Sequence, residues 1–508
     1  LYLQGAYQDT DGYRRHSGVS QRSVYFGASH DTEQSFFKVF GFAGHERSGL
    51  SYLATDEATL AEDPRHNDLT PDDRDSFGQR FVSAQYHRAL GPDSELSFQG
   101  YYNGADGWYR ISDATAGSRG LFQYGLDWRS IGATATYRRT TGAWDLTWGG
   151  HVNDFASRHS RDVVDGERSY ANRGFKNEVN SFLKVGYTTG RWLHYGDVQV
   201  RWARFRYEGS LDLGSVSWTF VNPKIGTRYS VGNGVSLYAS IGRAGREPGR
   251  MDMLQGEDNA SMPYRLDAVS PERVTNAEMG IDVNRGTLSA SVNGYFMEFR
   301  NEIALTGELS ETGLPTRRNV DRSFRRGVEV DLRWRPLAGL QLRHTAAYSY
   351  SRIRTWTQYY DVYDEDGSWV GSTTRTHSGV PPLLTPAVTA SAAADYSPVS
   401  STTLGLTARY VGRSHLDNTG SDRFTAPDFV VLGATADVRL GGVLGWARGA
   451  PTLRVRADNL LDNAHLYPSG YSYQYFVGAP VPSAAPEGVR YFYPLATRSL
   501  TVMLDISF

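Results

Sequence analysis

Three arginines lie close together in residues 242–250, whose sequence is GRAGREPGR. They are Arg243, Arg246 and Arg250. Guanidinium groups bind carboxylates and similar anions through charge-assisted, often paired, hydrogen bonds. The cluster therefore predicts a site for an anionic ligand rich in carboxylate or catecholate oxygens. The alternative reading is equally physical, because arginines at the rim of a membrane protein also pair with lipid phosphates.

Aromatic residues stand beside arginines in further segments that we predict to be loops. Aromatic faces combined with guanidinium groups bind planar chelates well. These segments therefore add further candidate residues for the same ligand site: Trp108, Tyr109 and Arg110; Tyr264 and Arg265; and Tyr471, Tyr473 and Tyr475.

Catalytic and metal-binding chemistry finds little support in the sequence. Pairs such as Asp63 with His66 or Glu167 with Ser169 lie in polar segments without a nucleophile elbow or a phosphate-binding glycine turn. The chain has no cysteine, and none of its 12 histidines forms an i, i+4 pair. A net charge of −2 disfavours a nucleic-acid partner. We therefore predict no catalytic residue, no metal ligand, no cofactor and no nucleic acid.

The elements that must position these residues are β-strands. Residues 499–508 alternate strictly, with Leu500, Val502, Leu504, Ile506 and Phe508 on one face and mostly polar residues on the other. Such a strand suits a barrel wall between lipid and lumen. No apolar run is long enough for a membrane helix, and the 13% of aromatic residues suits interfacial girdles.

The same alternation recurs along the chain in about twenty segments. Short connectors rich in Gly, Pro, Asn and Asp alternate with long ones, which is typical of an antiparallel up-and-down barrel with tight turns on one side of the membrane. The predicted strands are 2–8, 21–31, 35–47, 78–90, 94–104, 122–140, 143–155, 175–188, 192–208, 215–230, 235–244, 272–285, 287–299, 324–335, 340–353, 385–396, 402–413, 427–439, 451–459 and 497–507.

The facing of individual strands follows from the cost of charge in lipid. Glu329, Asp331 and Arg333 alternate with Val328, Val330 and Leu332, and Arg454 and Arg456 alternate with apolar neighbours. Charged side chains at mid-strand are costly in the hydrocarbon layer. We therefore expect the charged set to face the lumen and the apolar set, with Leu500, Val502 and Leu504, to face lipid.

Several segments resemble those of one family, in the right order along the whole chain. They are 222–229 (NPKIGTRY) followed by Tyr238 and 246–248 (REP); 273–280 (RVTNAEMG), 295–301 (YFMEFRN), Asn319 and 327–329 (GVE); and 455–462 (VRADNLLD) followed by Tyr467 and a terminal strand ending in Phe508. Together these segments are similar to TonB-dependent outer-membrane transporters.

The resemblance implies a 22-stranded transmembrane barrel preceded by a plug domain. This chain shows no plug-like sequence and about twenty strands, so we interpret residues 1–508 as the barrel domain alone, without the plug and the first two strands. Because Leu1 begins in mid-strand, we interpret the sequence as a fragment of a mature chain.

The function that the resemblance implies is energy-coupled import across the outer membrane of a Gram-negative bacterium. The ligand would be a ferric siderophore or another ferric chelate, and the partners would be the TonB complex, acting through the plug segment, and outer-membrane lipid and lipopolysaccharide. Cobalamin, thiamine, haem and glycans remain alternatives, as does a passive porin or adhesin. Haem is disfavoured because residues 254–266 contain no histidine.

Overall fold

The computed structural model describes residues 1–113, 120–309, 315–441, 451–478 and 484–506. Strands dominate these residues, and two short helices, α1 (Glu57–Glu62) and α2 (Arg250–Met253), lie in connectors. None of the described helices has the length and apolar character needed to cross a membrane. The terminal Phe508, part of the expected strand pattern, lies outside the described residues.

The strands of the first half of the chain are long and regular. They are β1 (Tyr2–Thr10), β2 (Val19–Asp31), β3 (Ser35–Gly49), β4 (Thr55–Asp56), β5 (Arg74–Gly91), β6 (Ser94–Asp113), β7 (Gly120–Thr141), β8 (Trp144–Val163), β9 (Arg168–Thr189), β10 (Trp192–Glu208), β11 (Ser215–Gly232) and β12 (Val235–Arg246).

The second half adds longer excursions beyond the wall. Its strands are β13 (Glu272–Arg285), β14 (Leu288–Leu309), β15 (Pro315–Leu337), β16 (Leu340–Tyr363), β17 (Trp369–Val380), β18 (Val388–Val399), β19 (Thr402–Val411), β20 (Ser414–His415), β21 (Thr425–Ala426), β22 (Phe429–Arg439), β23 (Thr452–Asp458), β24 (Ser469–Val477), β25 (Glu487–Tyr493) and β26 (Ser499–Asp505).

Consecutive antiparallel pairing builds a single barrel wall. Apart from β4, β17, β20, β21, β24 and β25, each strand pairs with its predecessor in the wall, from β1 to β26. The wall contains the predicted twenty strands, which confirms the up-and-down β-barrel. Among the described residues β1 pairs with β2 alone and β26 with β23 alone.

The tight turns follow local chemistry. Between β11 and β12 the residues Asn233 and Gly234 both have positive φ, 51° and 75°, and Gly232 pairs with Val235 across them. Two left-handed residues define a type I′ turn, whose twist matches that of the flanking strands. The Asn-Gly dipeptide therefore fixes this hairpin by itself.

The register places the two predicted sets of side chains on opposite faces. Residues directly opposite each other on paired strands share a face. The face that carries Arg201 on β10 can therefore be followed from strand to strand as far as β26. The face that carries Arg201 also carries Glu329, Asp331, Arg333, Arg454 and Arg456. The opposite face carries Val328, Val330, Leu332, Leu500, Val502 and Leu504.

The Arg201 face is the inner one. Asp258, in the connector after β12, contacts His159 on β8 and Tyr170 on β9. The connector therefore reaches back to strands three and four positions earlier in the wall, and across a curved wall the concave side offers the direct path. The facing predicted from the sequence therefore holds, and Leu500, Val502 and Leu504 on the outer face are 67%, 62% and 55% exposed.

Strands on the long-connector side extend further than expected. β14 runs to Leu309 and β15 begins at Pro315, whereas the sequence pattern stops near residues 299 and 324. β16 also continues to Tyr363 and pairs with β17, although residues 354–384 were predicted to be a connector. Beyond the lipid band both faces are wet, so the apolar alternation that marks a strand disappears there.

β17 and β18 together form one interrupted partner of β16. The upper part of β16 pairs with β17 and the lower part, from Leu340 to Tyr348, pairs with β18. Pro381 and Pro382 separate the two partners, and a proline cannot donate a hydrogen bond to a sheet. The chain therefore leaves the wall here and re-enters it seven residues later.

Buried apolar side chains gather where the long connectors pack, rather than in a central core. One cluster joins Phe205 and Tyr207 to Met253 and Leu254 around α2. Another joins Leu60 of α1 to Leu416, Tyr467 and Phe492. The connectors therefore form a packed rim around the mouth of the barrel.

Candidate functional site

A hairpin of β24 and β25 crosses the mouth of the barrel. It leaves the wall after β23, yet β24 pairs in parallel with the top of β16, where Asp361 lies opposite Tyr475. On its other side β25 pairs with β4, in the connector between β3 and β5. The hairpin therefore links two separate parts of the rim, and we call it the mouth hairpin.

The mouth hairpin borders a cavity of about 520 Å³. The cavity is lined by residues of four different connectors or strand tops: Thr306, Gly307, Glu308, Gln358, Tyr359, Tyr360, Asp361, Ser372, Asp417, Tyr471, Ser472, Tyr473, Gln474 and Tyr491. Tyrosines and carboxylates predominate in this lining, and none of the residues described there is an arginine or a lysine. We call it the tyrosine–carboxylate cavity.

Asp361 organises one wall of this cavity. Its Oδ2 accepts a hydrogen bond from the Tyr473 hydroxyl at 2.6 Å and its Oδ1 accepts one from the Trp369 indole at 3.1 Å. Tyr473 is also 2.7 Å from the Tyr363 hydroxyl. Burial, then the bonds to Asp361 and Tyr363, raise the pKa of Tyr473 above its already high ordinary value, so its hydroxyl acts as a hydrogen-bond donor.

Asp417 organises the opposite wall. It is 3% exposed and accepts hydrogen bonds from the Ser472 hydroxyl at 3.0 Å and the Thr419 hydroxyl at 2.6 Å. The Gln474 amide nitrogen also donates to Asp417. Ser472 and Gln474 alternate with the tyrosines along β24, so one strand supplies both the rings and the donors.

Gln474 leaves one hydrogen-bonding atom unused. The residue is 6% exposed, and its Oε1 atom is buried without a hydrogen-bond partner. A buried acceptor without a partner is costly unless a ligand or water supplies a donor. Together with the carboxylates, this atom makes the cavity suited to a ligand that carries hydroxyl, amide or ammonium donors.

The arginine cluster is dispersed by the fold. Arg243 lies on the outer face of β12, because its neighbour across the strand is the outward Thr275. Arg246 lies on the inner face and pairs with Glu272 at 3.2 Å. Arg250 begins α2, is 12% exposed and donates to the Asn172 side chain at 2.7 Å. The three arginines therefore do not form one anion site.

Carboxylates neutralise the other basic groups of this region. Glu247 is 3% exposed and pairs with Arg201 and with Lys176, each at 2.6 Å. Burial alone would raise the pKa of Glu247, but the hydrogen bonds from Arg201 and Lys176 outweigh it and lower that pKa to about 2. Arg201 also bonds Glu178 at 2.6 Å. We call this group the buried ion network.

Asp258 is a second buried carboxylate of the same connector. It lies 2.7 Å from His159 and accepts a hydrogen bond from the Tyr170 hydroxyl at 2.9 Å. Burial opposes the ionised form, but the bond from His159 and the charge of Arg250 lower the pKa of Asp258. The Asp258 carboxylate therefore holds the connector after β12 to β8 and β9.

The other predicted site residues are also separated. Trp108, Tyr109 and Arg110 lie in β6 rather than in a loop. Tyr109 faces inward and stacks on Tyr124, with centroids 4.8 Å apart. Trp108 and Arg110 face outward, with the Arg110 guanidinium 4.7 Å from the Trp108 ring. In a wall strand successive side chains alternate between lumen and lipid, so Tyr109 and its two neighbours cannot meet one ligand in the lumen.

Tyr264 and Arg265 lie in the connector before β13, where Tyr264 packs on the α2 cluster and Arg265 pairs with Asp267 at 3.1 Å. Tyr471 and Tyr473 line the tyrosine–carboxylate cavity, and Tyr475 lies beside it with its ring 5.6 Å from Tyr363. The tyrosine row is thus the predicted group that the fold keeps together.

Sequence reasoning missed the carboxylates of the cavity. Asp361 and Asp417 lie more than fifty residues apart, in segments that we predicted to be connectors, and both meet the mouth hairpin only in the folded chain. The available signal was the clustering of Asp, Asn and Thr in residues 417–419, which is typical of an ordered turn rather than of a ligand site.

Comparison with known proteins identifies the barrel. Residues 6–460 match a family model described as TonB dependent receptor-like, beta-barrel. No curated protein matches the sequence.

Solved structures of similar fold cover the whole chain at low identity. The ferric citrate transporter FecA in its unliganded form has a TM-score of 0.76 at 15% identity, covering 100% of this chain and 73% of its own. The ferric-catecholate import receptor Fiu from E. coli K12 has a TM-score of 0.73 at 13% identity, covering 100% and 77%. The copper transporter OprC has a TM-score of 0.73 at 14% identity, covering 100% and 75%. At these identities the likeness concerns the fold alone.

Proposed function

The chain belongs to the TonB-dependent receptor family, whose β-barrel it forms, and from that premise we propose that it imports a scarce nutrient across the outer membrane of a Gram-negative bacterium. The family is one of outer-membrane transport receptors, not enzymes. Import would draw its energy from the TonB complex through a plug segment, and outer-membrane lipid and lipopolysaccharide would surround the barrel.

We propose a ferric siderophore or another ferric chelate as the nutrient. Two of the structurally similar receptors are described as taking ferric citrate and ferric catecholates. The observation that carries the proposal for this chain is the tyrosine–carboxylate cavity under the mouth hairpin. Its rings offer flat surfaces for a chelate, and a cavity of about 520 Å³ lies within the usual range for small-ligand sites.

The chemistry of the cavity narrows the kind of chelate. Glu308, Asp361 and Asp417 line it, and none of the described lining residues is basic. Carboxylates repel a polyanion and accept hydrogen bonds from hydroxyl, amide and ammonium groups. A chelate with such donors on its surface therefore fits this cavity better than the carboxylate- or catecholate-rich anion suggested by the arginine cluster, whose members lie outside the cavity lining.

Uptake by intact cells tests this proposal. The complete receptor would be produced in a strain without its own iron receptors, with and without TonB, and supplied with labelled ferric catecholate, hydroxamate and citrate complexes, haem, cobalamin and thiamine. We expect TonB-dependent uptake of a ferric chelate. TonB-independent passage of small solutes would instead establish a passive porin, and uptake of a vitamin or haem alone would refute the iron proposal.

A further inference from the structure

The outer face of β13, β14 and β15 carries three arginines in one row. Arg273 pairs across the strands with Arg300, and Arg300 pairs with Arg322. Directly opposite side chains lie about 5 Å apart at Cβ, so the three guanidinium groups share a patch about 10 Å wide. We call it the arginine row.

No carboxylate of the described residues pairs with the arginine row. All three side chains are exposed, and within the described ranges none of them makes a hydrogen bond or an ion pair. The neighbouring Glu298 lies one position below the row and faces Arg354, 3.5 Å away. Like charges directly opposite each other destabilise a sheet. The row is therefore arranged as a site for an external anion.

A band of rings lies directly below the arginine row on the same face. Phe296 stacks on Phe324 with centroids 6.4 Å apart, and Phe324 contacts Tyr350 at 6.0 Å. Arg326 and Arg352 lie over Tyr350 at 4.9 and 4.1 Å. Aromatic residues favour the boundary between headgroups and hydrocarbon in a membrane. The arginine row therefore stands at headgroup height.

An apolar hollow of about 1170 Å³ lies below the rings, on the hydrocarbon side. Its floor is made of small outward residues, among them Gly294, Ala277 and Ala239, and its walls include Ile241, Met279 and Val328. Gly294 lies six residues below Arg300 along β14, which corresponds to about 20 Å of strand. Because barrel strands tilt by about 40°, this length corresponds to about 15 Å of depth, which places Gly294 within the hydrocarbon layer when Arg300 lies among the headgroups.

We propose that this face binds one phosphate-bearing lipid of the outer leaflet, with its phosphate on the arginine row and an acyl chain in the hollow. Charge complementarity selects the phosphate, since arginine binds it through paired, charge-assisted hydrogen bonds. The hollow selects an amphiphile over a free anion. The inference rests on the proposed outer-membrane location but not on the identity of the imported ligand.

The experiment measures lipid retention and not transport. The complete receptor, purified in mild detergent, would be titrated with bisphosphorylated lipid A, with its monophosphorylated form and with inorganic phosphate. The test variant is Arg273→Gln/Arg300→Gln/Arg322→Gln. The matched control is Arg333→Gln/Arg454→Gln/Arg456→Gln, which removes three charges from the inner face. Heat-modifiable migration on a gel would confirm that each variant is a folded barrel.

We expect the arginine-row variant to bind bisphosphorylated lipid A roughly tenfold or more weakly, while the inner-face control binds it normally. The monophosphorylated form should bind less tightly than the bisphosphorylated form. Unchanged binding by the arginine-row variant would overturn the proposal, as would competition by inorganic phosphate at concentrations similar to those of the lipid, because that would identify a small-anion site.

A second variant tests the hollow separately. A Cβ added at Gly294 meets its nearest atom, the Met279 carbonyl oxygen, at 3.8 Å, so the backbone accepts a side chain there. Gly294→Leu should therefore fill the hollow without distorting the sheet and weaken lipid A binding several-fold. Normal affinity of this variant would refute the acyl-chain part of the proposal. Transport assays would not enter either result, so a wrong nutrient assignment leaves this test unaffected.

Discussion

The buried ion network and the tyrosine–carboxylate cavity occupy two parts of the same mouth and treat their charges differently. In the network, Glu247 is matched by Arg201 and Lys176 at 2.6 Å each, and little hydrogen-bonding capacity remains at that carboxylate. In the cavity, the donors that the described residues offer to Asp361 and Asp417 are all neutral, and among these residues the Gln474 Oε1 atom has no partner. The network can hold a connector in place, whereas the cavity still offers hydrogen-bond acceptors to a ligand.

The difference shows that charged residues close together in the sequence do not determine the net charge of the folded surface, because residues from distant segments can neutralise them. Residues 242–250 look strongly basic, yet Arg246 and Arg250 meet carboxylates and Arg243 points outward. The tyrosine row of β24 looks neutral, yet it meets two carboxylates from distant connectors. We therefore propose a structural role for the first region and a binding role for the second.

The largest effect should come from opening the buried ion network. Glu247→Gln leaves Arg201 and Lys176 without their shared carboxylate in a site where Glu247 is 3% exposed. Removing one partner of a buried ion pair typically costs about 3–5 kcal/mol. Urea unfolding of the barrel in lipid bilayers should show a loss in that range. The control Arg265→Gln, which breaks the exposed pair with Asp267, should cost less than about 1 kcal/mol.

Lowering the pH should weaken the ion pairs of Glu247 with Arg201 and Lys176 in a defined pH window. The pKa of Glu247 is lowered from 4.5 to about 2, so the unfolded chain binds the proton first as the pH falls. The stabilisation is therefore complete above about pH 4.5 and is lost as the pH falls through 2. The unfolding free energies of wild type and Glu247→Gln should converge by up to about 3 kcal/mol over this window. A difference that stays constant down to pH 2 would contradict the network.

The cavity should show a smaller effect, and on binding rather than on stability. Asp361→Asn keeps the shape of the side chain but removes the charge that faces Tyr473 and the cavity. We expect the dissociation constant of the imported chelate to rise by roughly tenfold or more, the range for a hydrogen bond to a charged group. Isothermal titration with the purified receptor measures this. An unchanged affinity would remove the cavity from the binding site.

The smallest effect should follow from Arg246→Gln. Arg246 is 59% exposed and pairs with Glu272 across the strands, and exposed pairs contribute only about 0–1 kcal/mol. Affinity for the chelate should stay within about threefold of wild type, because this guanidinium does not line the cavity. A loss of affinity as large as that of Asp361→Asn would reverse the comparison and restore the arginine cluster as the ligand site.

Much of the wall could be predicted from residues alone, and the candidate site could not. The bounds of β10 (Trp192–Glu208) and β13 (Glu272–Arg285) agree with the sequence pattern, because lipid on one side and water on the other impose a period of two. β17 and the mouth hairpin were missed, because outside the membrane no such asymmetry marks a strand.

The sequence by itself determined the barrel, its count of twenty wall strands and the facing of residues such as Glu329 and Val328, since each follows from local alternation and short turns. Only the tertiary structure decided which charges are free. Whether Arg250 or Asp417 meets a ligand or another side chain depends on connectors that are distant in sequence and converge over the mouth. Coulombic and hydrogen-bond energies depend on these distances, and spacing along the chain does not encode them.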